Sequence, residues 1–172
     1  MPRIEISGVE YTRNMKTIFG GSDGIRTIIF PTMVRIVRLG SFHKVQSLRT
    51  VVLNEGLEIL GTNEYASYSP MYCGVFQESG LENVRFSSTL RRIECATFLK
   101  CEKLRSVNLA EGLEYIGESS FAGTGLASVE FPASLRIIDD NVFESCKSLT
   151  SVVLPQKLER IGKDCFSGSG LK

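Results

Sequence analysis

Tryptophan is absent from the 172-residue sequence, and histidine occurs once, as His43. One imidazole cannot complete a zinc site of the two-Cys, two-His kind, and a hydrolytic centre needs a base held beside its nucleophile. Most catalytic arrangements are thereby removed. An excess of one charge is also missing: 20 Lys and Arg face 19 Asp and Glu, a net charge of +1. Such a balance gives no electrostatic reason for nucleic acid or an acidic membrane as a partner. No uncharged apolar run approaches the ~18 residues that span a bilayer. Arg3 and Glu5 interrupt the start of the chain, so Met1 to Ser7 does not read as a signal peptide. The five cysteines, Cys73, Cys95, Cys101, Cys146 and Cys165, form no CxxC pair. An odd count without an export signal points to reduced thiols rather than a disulfide framework.

What is present is a repeat. Apolar residues are 42% of the chain, enough to exclude disorder, and a chain near this size hides roughly 70% of its unfolded surface. Units open at Ile25, Leu48, Leu81, Leu104, Leu126 and Leu149, with a new start at Leu171. The spacings are 23, 33, 23, 22, 23 and 22, the 33 being a 22-residue unit carrying 11 extra residues. With the opening residue as place 1, apolar residues recur at places 4, 6, 10, 13 and 18. In the fourth unit these are Val107, Leu109, Leu113, Ile116 and Phe121. Odd units put Val45, Cys101 or Cys146 at place 21, and even units end in glycine: Gly80, Gly125 and Gly170. Place 11 alternates Arg35, Glu58, Arg91, Glu114, Arg136 and Glu159. The true period is therefore a pair of units.

Period-two alternation predicts a short strand over places 3 to 6 of each unit. Pro31, Pro132 and Pro155 stop it, because proline cannot donate to a ladder. Places 14 to 21 are too short for a proper helix and predict a turn or a single 3₁₀ turn. No unit buries its apolar face alone, so the units must stack into a β-rich solenoid with a parallel sheet and one continuous core.

The pattern LxxVxFPxxLxxIgxxxFxxCxxL resembles the BspA-like, or Treponema-type, leucine-rich repeat. It is clearest over Leu126 to Ser148 and Leu149 to Gly170 and extends over 25–172. The resemblance implies a right-handed leucine-rich-repeat solenoid of about six repeats. It also implies a non-catalytic binding role, commonly in surface proteins, as adhesins or antigens. Residues 1–24 are expected to form an N-terminal cap and a glycine-rich linker, and Leu171 to open a truncated seventh unit.

Chemistry-bearing constellations are few. A Cys73–His43 dyad lacks a third group and an oxyanion signature. The glycine-rich run 20–24 lacks the lysine of a phosphate loop. No catalytic residue, metal ligand or cofactor is assigned. Cys101 and Cys146, at the same place in the repeat, read as small buried hydrophobes. Two surfaces stand out instead. The insertion at 62–75 holds Tyr65, Tyr68, Met71 and Tyr72, residue types favoured at interfaces. The same loop can equally pack its own aromatics over one edge. The outward side of the strands carries Asn83, Arg85, Asn108 and Glu130 in its middle. It reads as a ligand face or as plain solvated sheet.

The expected function is a non-catalytic protein-binding or adhesion module of a cell-surface type. The alternative is a regulatory or targeting domain of a larger intracellular protein. A host protein or a second copy is the expected partner, with no nucleic acid and no membrane insertion. An exposed C-terminal end would recruit another chain, most simply through a two-fold contact. The compartment stays open: the resemblance implies the cell surface, whereas the thiols and the start of the chain allow the cytoplasm.

Overall fold

The computed structural model describes residues 3–5, 24–37, 40–61 and 74–172. The units are stacked rungs of a parallel β-solenoid, and among the described residues there is no helix. Places 3 to 5 form the first ladder of strands. It holds β1 (Arg3–Glu5), β2 (Thr27–Ile29), β4 (Thr50–Val52) and β6 (Asn83–Arg85), then separately β9 (Ser128–Glu130) and β11 (Ser151–Val153). Pairing is in register, Thr27 with Thr50 and Thr50 with Asn83. The strands end one place short of the expected span of places 3 to 6. After each one the place-10 amide closes a turn onto the carbonyl three residues back, as in Leu135 N to Pro132 O at 3.1 Å.

A second ladder, which period-two reasoning did not find, runs through places 12 and 13. Its two-residue strands are β3 (Ile36–Val37), β5 (Ile59–Leu60), β7 (Arg92–Ile93), β8 (Tyr115–Ile116), β10 (Ile137–Ile138) and β12 (Arg160–Ile161). They form one six-stranded parallel sheet.

The third side of each rung is turns rather than a 3₁₀ helix. Its amides at places 16, 18 and 20 donate to the next rung: Ala96 to Glu118 O, Phe98 to Ser120 O, Lys100 to Ala122 O, at 2.7–2.8 Å. The intervening amides turn back three residues within their own rung, as in Cys101 N to Phe98 O at 3.0 Å. Every second amide is thus an inter-rung bond, which meets the backbone's hydrogen-bonding demand without regular secondary structure.

The core lies between the three sides. Leu57, Leu90, Leu113 and Leu135 are fully buried, as are Leu60, Ile93, Ile116 and Ile138. Six phenylalanines at place 18 stack in one column from Phe42 to Phe166, with centroid steps of 5.1–5.6 Å and interplanar angles of 6–16°. Phe30, Phe86 and Phe131 at place 6 of the odd rungs meet this column edge-on at 5.7–5.9 Å. The Phe/Leu alternation at place 6 is therefore one edge contact for every two rungs, a favoured aromatic geometry.

The first ladder is interrupted at rung four. Asn108 keeps an isolated bridge to Glu130, and no strand pairs with the far edge of β6. Rungs three and four nevertheless stay in register through β7–β8 and through Phe98–Phe121, the shortest ring step at 5.1 Å. The gap is thus a local splay of the strand side, and it leaves Val84 and Phe86 only partly buried.

At the N-terminal end, β1 pairs with β2 as Arg3 with Thr27. The strand side therefore begins one rung before the first unit. The other residues of the expected cap, apart from Gly24, lie outside the described residues. At the other end Leu171 packs against the core, half-buried.

Candidate functional site

The strand side presents its outward residues as two rows. Place 3 runs Thr27, Thr50, Asn83, Ser106, Ser128, Ser151, and place 5 runs Ile29, Val52, Arg85, Asn108, Glu130, Val153. In the first two rungs these residues are half-buried; from Asn83 onwards all are exposed. Pleating sets this division, since alternate side chains point to opposite faces while Ile28 and Val51 enter the core. Asn83, Arg85, Asn108 and Glu130 are thus brought together on one surface, across the splay.

Arg85 and Glu130 stand two rungs apart, about 10 Å at the usual strand spacing, and neither forms an ion pair among the described residues. Arg85's charge reaches Glu55, whose carboxyl is held below its usual range chiefly by the Ser88 hydroxyl and amide. Beyond Glu130 a shallow concavity continues along β9 and β11 to Leu154 and Pro155. The arrangement can place two opposite charges and an amide against a partner; it holds no nucleophile.

Tyr65, Tyr68, Met71 and Tyr72, with Cys73, lie outside the described residues. Their anchor points are described. Gly61 donates to Val37 O in the second ladder, and Phe76 donates to Thr97 O on the turn side. The insertion therefore leaves its rung at the corner between those two sides, away from the strand side. The two candidate sets are rooted on different faces.

Three of the described thiols, Cys101, Cys146 and Cys165, are buried in the stack. Cys101 and Cys146 are fully buried, with each Sγ donating to a carbonyl of the rung before, Phe76 O at 3.1 Å and Phe121 O at 3.2 Å. Burial pushes the Cys101 thiol up to about 12 and that of Cys165 to about 11, and raises Cys146 as well. Thiols so held are protonated and poor nucleophiles. Cys95, Cys101, Cys146 and Cys165 form no disulfide. Among the described residues no His, Cys, Asp and Glu group could hold a metal ion.

One polar cluster escaped the sequence reading. On the second ladder Arg92 bonds Glu94 at 2.6 Å and lies 3.9 Å over the Tyr115 ring. The Tyr115 hydroxyl donates to Asp139 at 2.8 Å, and Arg160 pairs with the other oxygen at 2.9 Å. Burial, then the bond to Asp139, raises the phenol's pKa. The cluster ties rungs three to six together and leaves no group poised for chemistry. Its signal was the break in the place-12 row, where Arg92, Tyr115 and Arg160 stand among Ile36, Ile59 and Ile137.

The sequence pattern of the BspA type leucine rich repeat region matches residues 12–71 and 70–172, in six copies. The chain belongs to the BspA-type leucine-rich repeat family. Solved structures agree on the fold. A leucine-rich repeat protein from Bacteroides ovatus superposes with a TM-score of 0.64 at 21% identity, over 86% of this chain and 42% of that one. A leucine rich cell surface protein from Faecalibacterium prausnitzii gives 0.60 at 23% identity, over 74% and 31%. The T. pallidum leucine-rich repeat protein gives 0.53 at 21%, over 83% and 75%. The chain thus spans less than half the length of the first and second of these relatives. No curated protein sequence matches it. Among the described residues, no helix is long and apolar enough to cross a membrane.

Proposed function

We propose that this BspA-type chain is a non-catalytic protein-binding module of the cell-surface adhesion kind, and that it meets its partner through the strand side around Asn83, Arg85, Asn108 and Glu130. The observation that carries the reading is the pair Arg85 and Glu130. Both are exposed and unpaired among the described residues, and they straddle the splay between β6 and β9. Opposite charges fixed on a rigid sheet select a partner's orientation and speed its approach. The family and the cell-surface relative support an interaction role. Tyr65, Tyr68, Met71 and Tyr72 belong to the proposal as a second contact on another face, and a further copy of the chain is a partner through the sixth rung.

The test is saturable binding of the fluorescent 172-residue protein to host epithelial cells. Arg85→Ala with Glu130→Ala should weaken it about tenfold while leaving the thermal midpoint unchanged. Replacing the insertion with a short turn reports separately on the tyrosines. Absence of saturable binding, or binding indifferent to both changes, overturns the proposal.

A further inference from the structure

The alternation of 23- and 22-residue units has a consequence at the corner that closes each rung. Odd rungs carry one extra residue there: Gln46-Ser47, Glu102-Lys103 and Lys147-Ser148. Even rungs close tightly on glycine, and nothing larger fits. A Cβ on Gly125 would lie 2.4 Å from Glu102 O, and one on Gly170 2.5 Å from Lys147 O. Each even corner therefore sits back beneath its odd neighbours, and the edge of the solenoid is notched every second rung.

The notch at rung four is a groove. Its floor is Gly123 to Gly125, and its walls carry Lys100, Arg105, Lys147 and a single carboxylate, Glu102. The three cations form no ion pair among the described residues.

The notch at rung two shows what the site is built to hold. Arg49 stands at place 2 there, as Arg105 does at rung four. The Arg49 Nη1 donates to the carbonyls of Gln46, Leu48 and Gly80, at 2.6, 2.9 and 3.2 Å. Its Nε pairs with the Glu82 carboxylate at 3.1 Å, and Glu82 is place 2 of the next rung. At rung four the residue corresponding to Glu82 is Ala127, which is exposed. Arg105 thus holds Arg49's place in the repeat, but its side chain makes neither the carbonyl bonds nor the carboxylate pair of Arg49 among the described residues, and it stands with two further unpaired lysines.

We propose that the groove over Gly123–Gly125 binds an acidic segment of a partner protein, with one carboxylate seated on Arg105 as Glu82 is seated on Arg49. The planar guanidinium matches a carboxylate's fork. The site lies at the corner that closes the rung, shares no residue with the Arg85 and Glu130 surface and does not depend on the strand-side reading.

The test uses fluorescein-labelled hexaglutamate, with hexaglutamine and a short heparin fragment as the other arms, in anisotropy titrations at low and physiological salt. Hexaglutamate should bind, more weakly at higher salt, and hexaglutamine should not. Arg105→Ala should weaken binding about tenfold, the size of one charge-assisted pair. Ala127→Glu supplies the missing carboxylate in cis and should block the site with the fold intact, as judged by circular dichroism. Arg85→Ala should change nothing here while still weakening cell binding, which keeps the two proposals separable. Binding of heparin alone, no binding of hexaglutamate, or binding by the Arg105→Ala and Ala127→Glu proteins as tight as that of the wild type overturns the assignment.

Discussion

At place 20 all six rungs adopt a left-handed backbone: Lys44, Glu78, Lys100, Gly123, Ser145 and Gly168, with φ between 54° and 66°. Place 16 does so in five, at Gly40, Ala96, Ser119, Asn141 and Asp164. These two corners make the turn side possible, and the sequence hardly announces them. A glycine would have marked a left-handed position, but most occupants are Lys, Glu, Ala or Ser, which carry no such signal. The core was legible for the opposite reason, because only apolar residues tolerate places 10, 13 and 18. Relieving a left-handed corner should help: Ser119→Gly is expected to stabilise by about 0.5–1 kcal/mol, the strain removed exceeding the entropy added. Ser119→Val should destabilise, since a β-branched residue there is an outlier. Leu113→Ala should cost roughly 2–5 kcal/mol in urea unfolding; a loss under half a kcal/mol would contradict the register. The buried thiols give a pH signature. In the unfolded chain they lose their protons near pH 9, whereas in the fold Cys165 and Cys101 hold them to about 11 and 12. Between those limits the folded state binds more protons, so stability is full below pH 9 and falls as pH rises. Alkaline denaturation should move to higher pH in the Cys101→Val protein.

The element scale explains which strands could be foreseen. Three-residue strands at places 3 to 5 alternate enough to be read, and the four strand-side candidates follow from that alternation. A two-residue strand has no period, so the second ladder was invisible although its inward member, place 13, had been assigned to the core. The interruption at rung four was equally hidden, since Ser106-Val107-Asn108 alternates as well as its neighbours do. At the glycine corners sequence and packing agree. Gly125→Ala should cost about 1–3 kcal/mol, because its Cβ meets a backbone carbonyl that cannot swing aside. Gly40→Ala meets no atom within 4 Å and should cost only its left-handed strain. On either side of the insertion the bonds, Gly61 to Val37 O and Phe76 to Thr97 O, are those of an ordinary unit. Shortening Thr62 to Gly74 to a three-residue turn should therefore leave a cooperative unfolding transition. Loss of folding would make the loop structural and remove its tyrosines from the binding proposal.

At the scale of the 172-residue chain, the proposed contact with a second copy falls on the sixth rung. Leu154 is 43% exposed and Ile161 41%, although their equivalents in rungs two to five are largely buried at places 6 and 13. One face of the Phe166 ring ends the column. The amides of Asp164, Phe166 and Gly168 have no partner among the described residues, whereas the matching amides of rung five donate to Lys163 O, Cys165 O and Ser167 O. This side of the ladder has one direction, with amides always pointing toward the next rung. A two-fold contact between sixth rungs, the simplest expectation from sequence, would set donors against donors there. Only a chain arriving in parallel, carbonyls first, completes all three sides. Association through this end, as proposed, would therefore be heterologous, and heterologous contacts do not close at two subunits unless the rotation closes a ring. The mass of the 172-residue protein in light scattering should rise with concentration beyond a dimer. Ile161→Lys, which puts a charge into the open core, should return it to monomer. A wild-type monomer at every concentration refutes association through the sixth rung, and a dimer that saturates and is dispersed by Ile161→Lys refutes the parallel arrangement while keeping the surface.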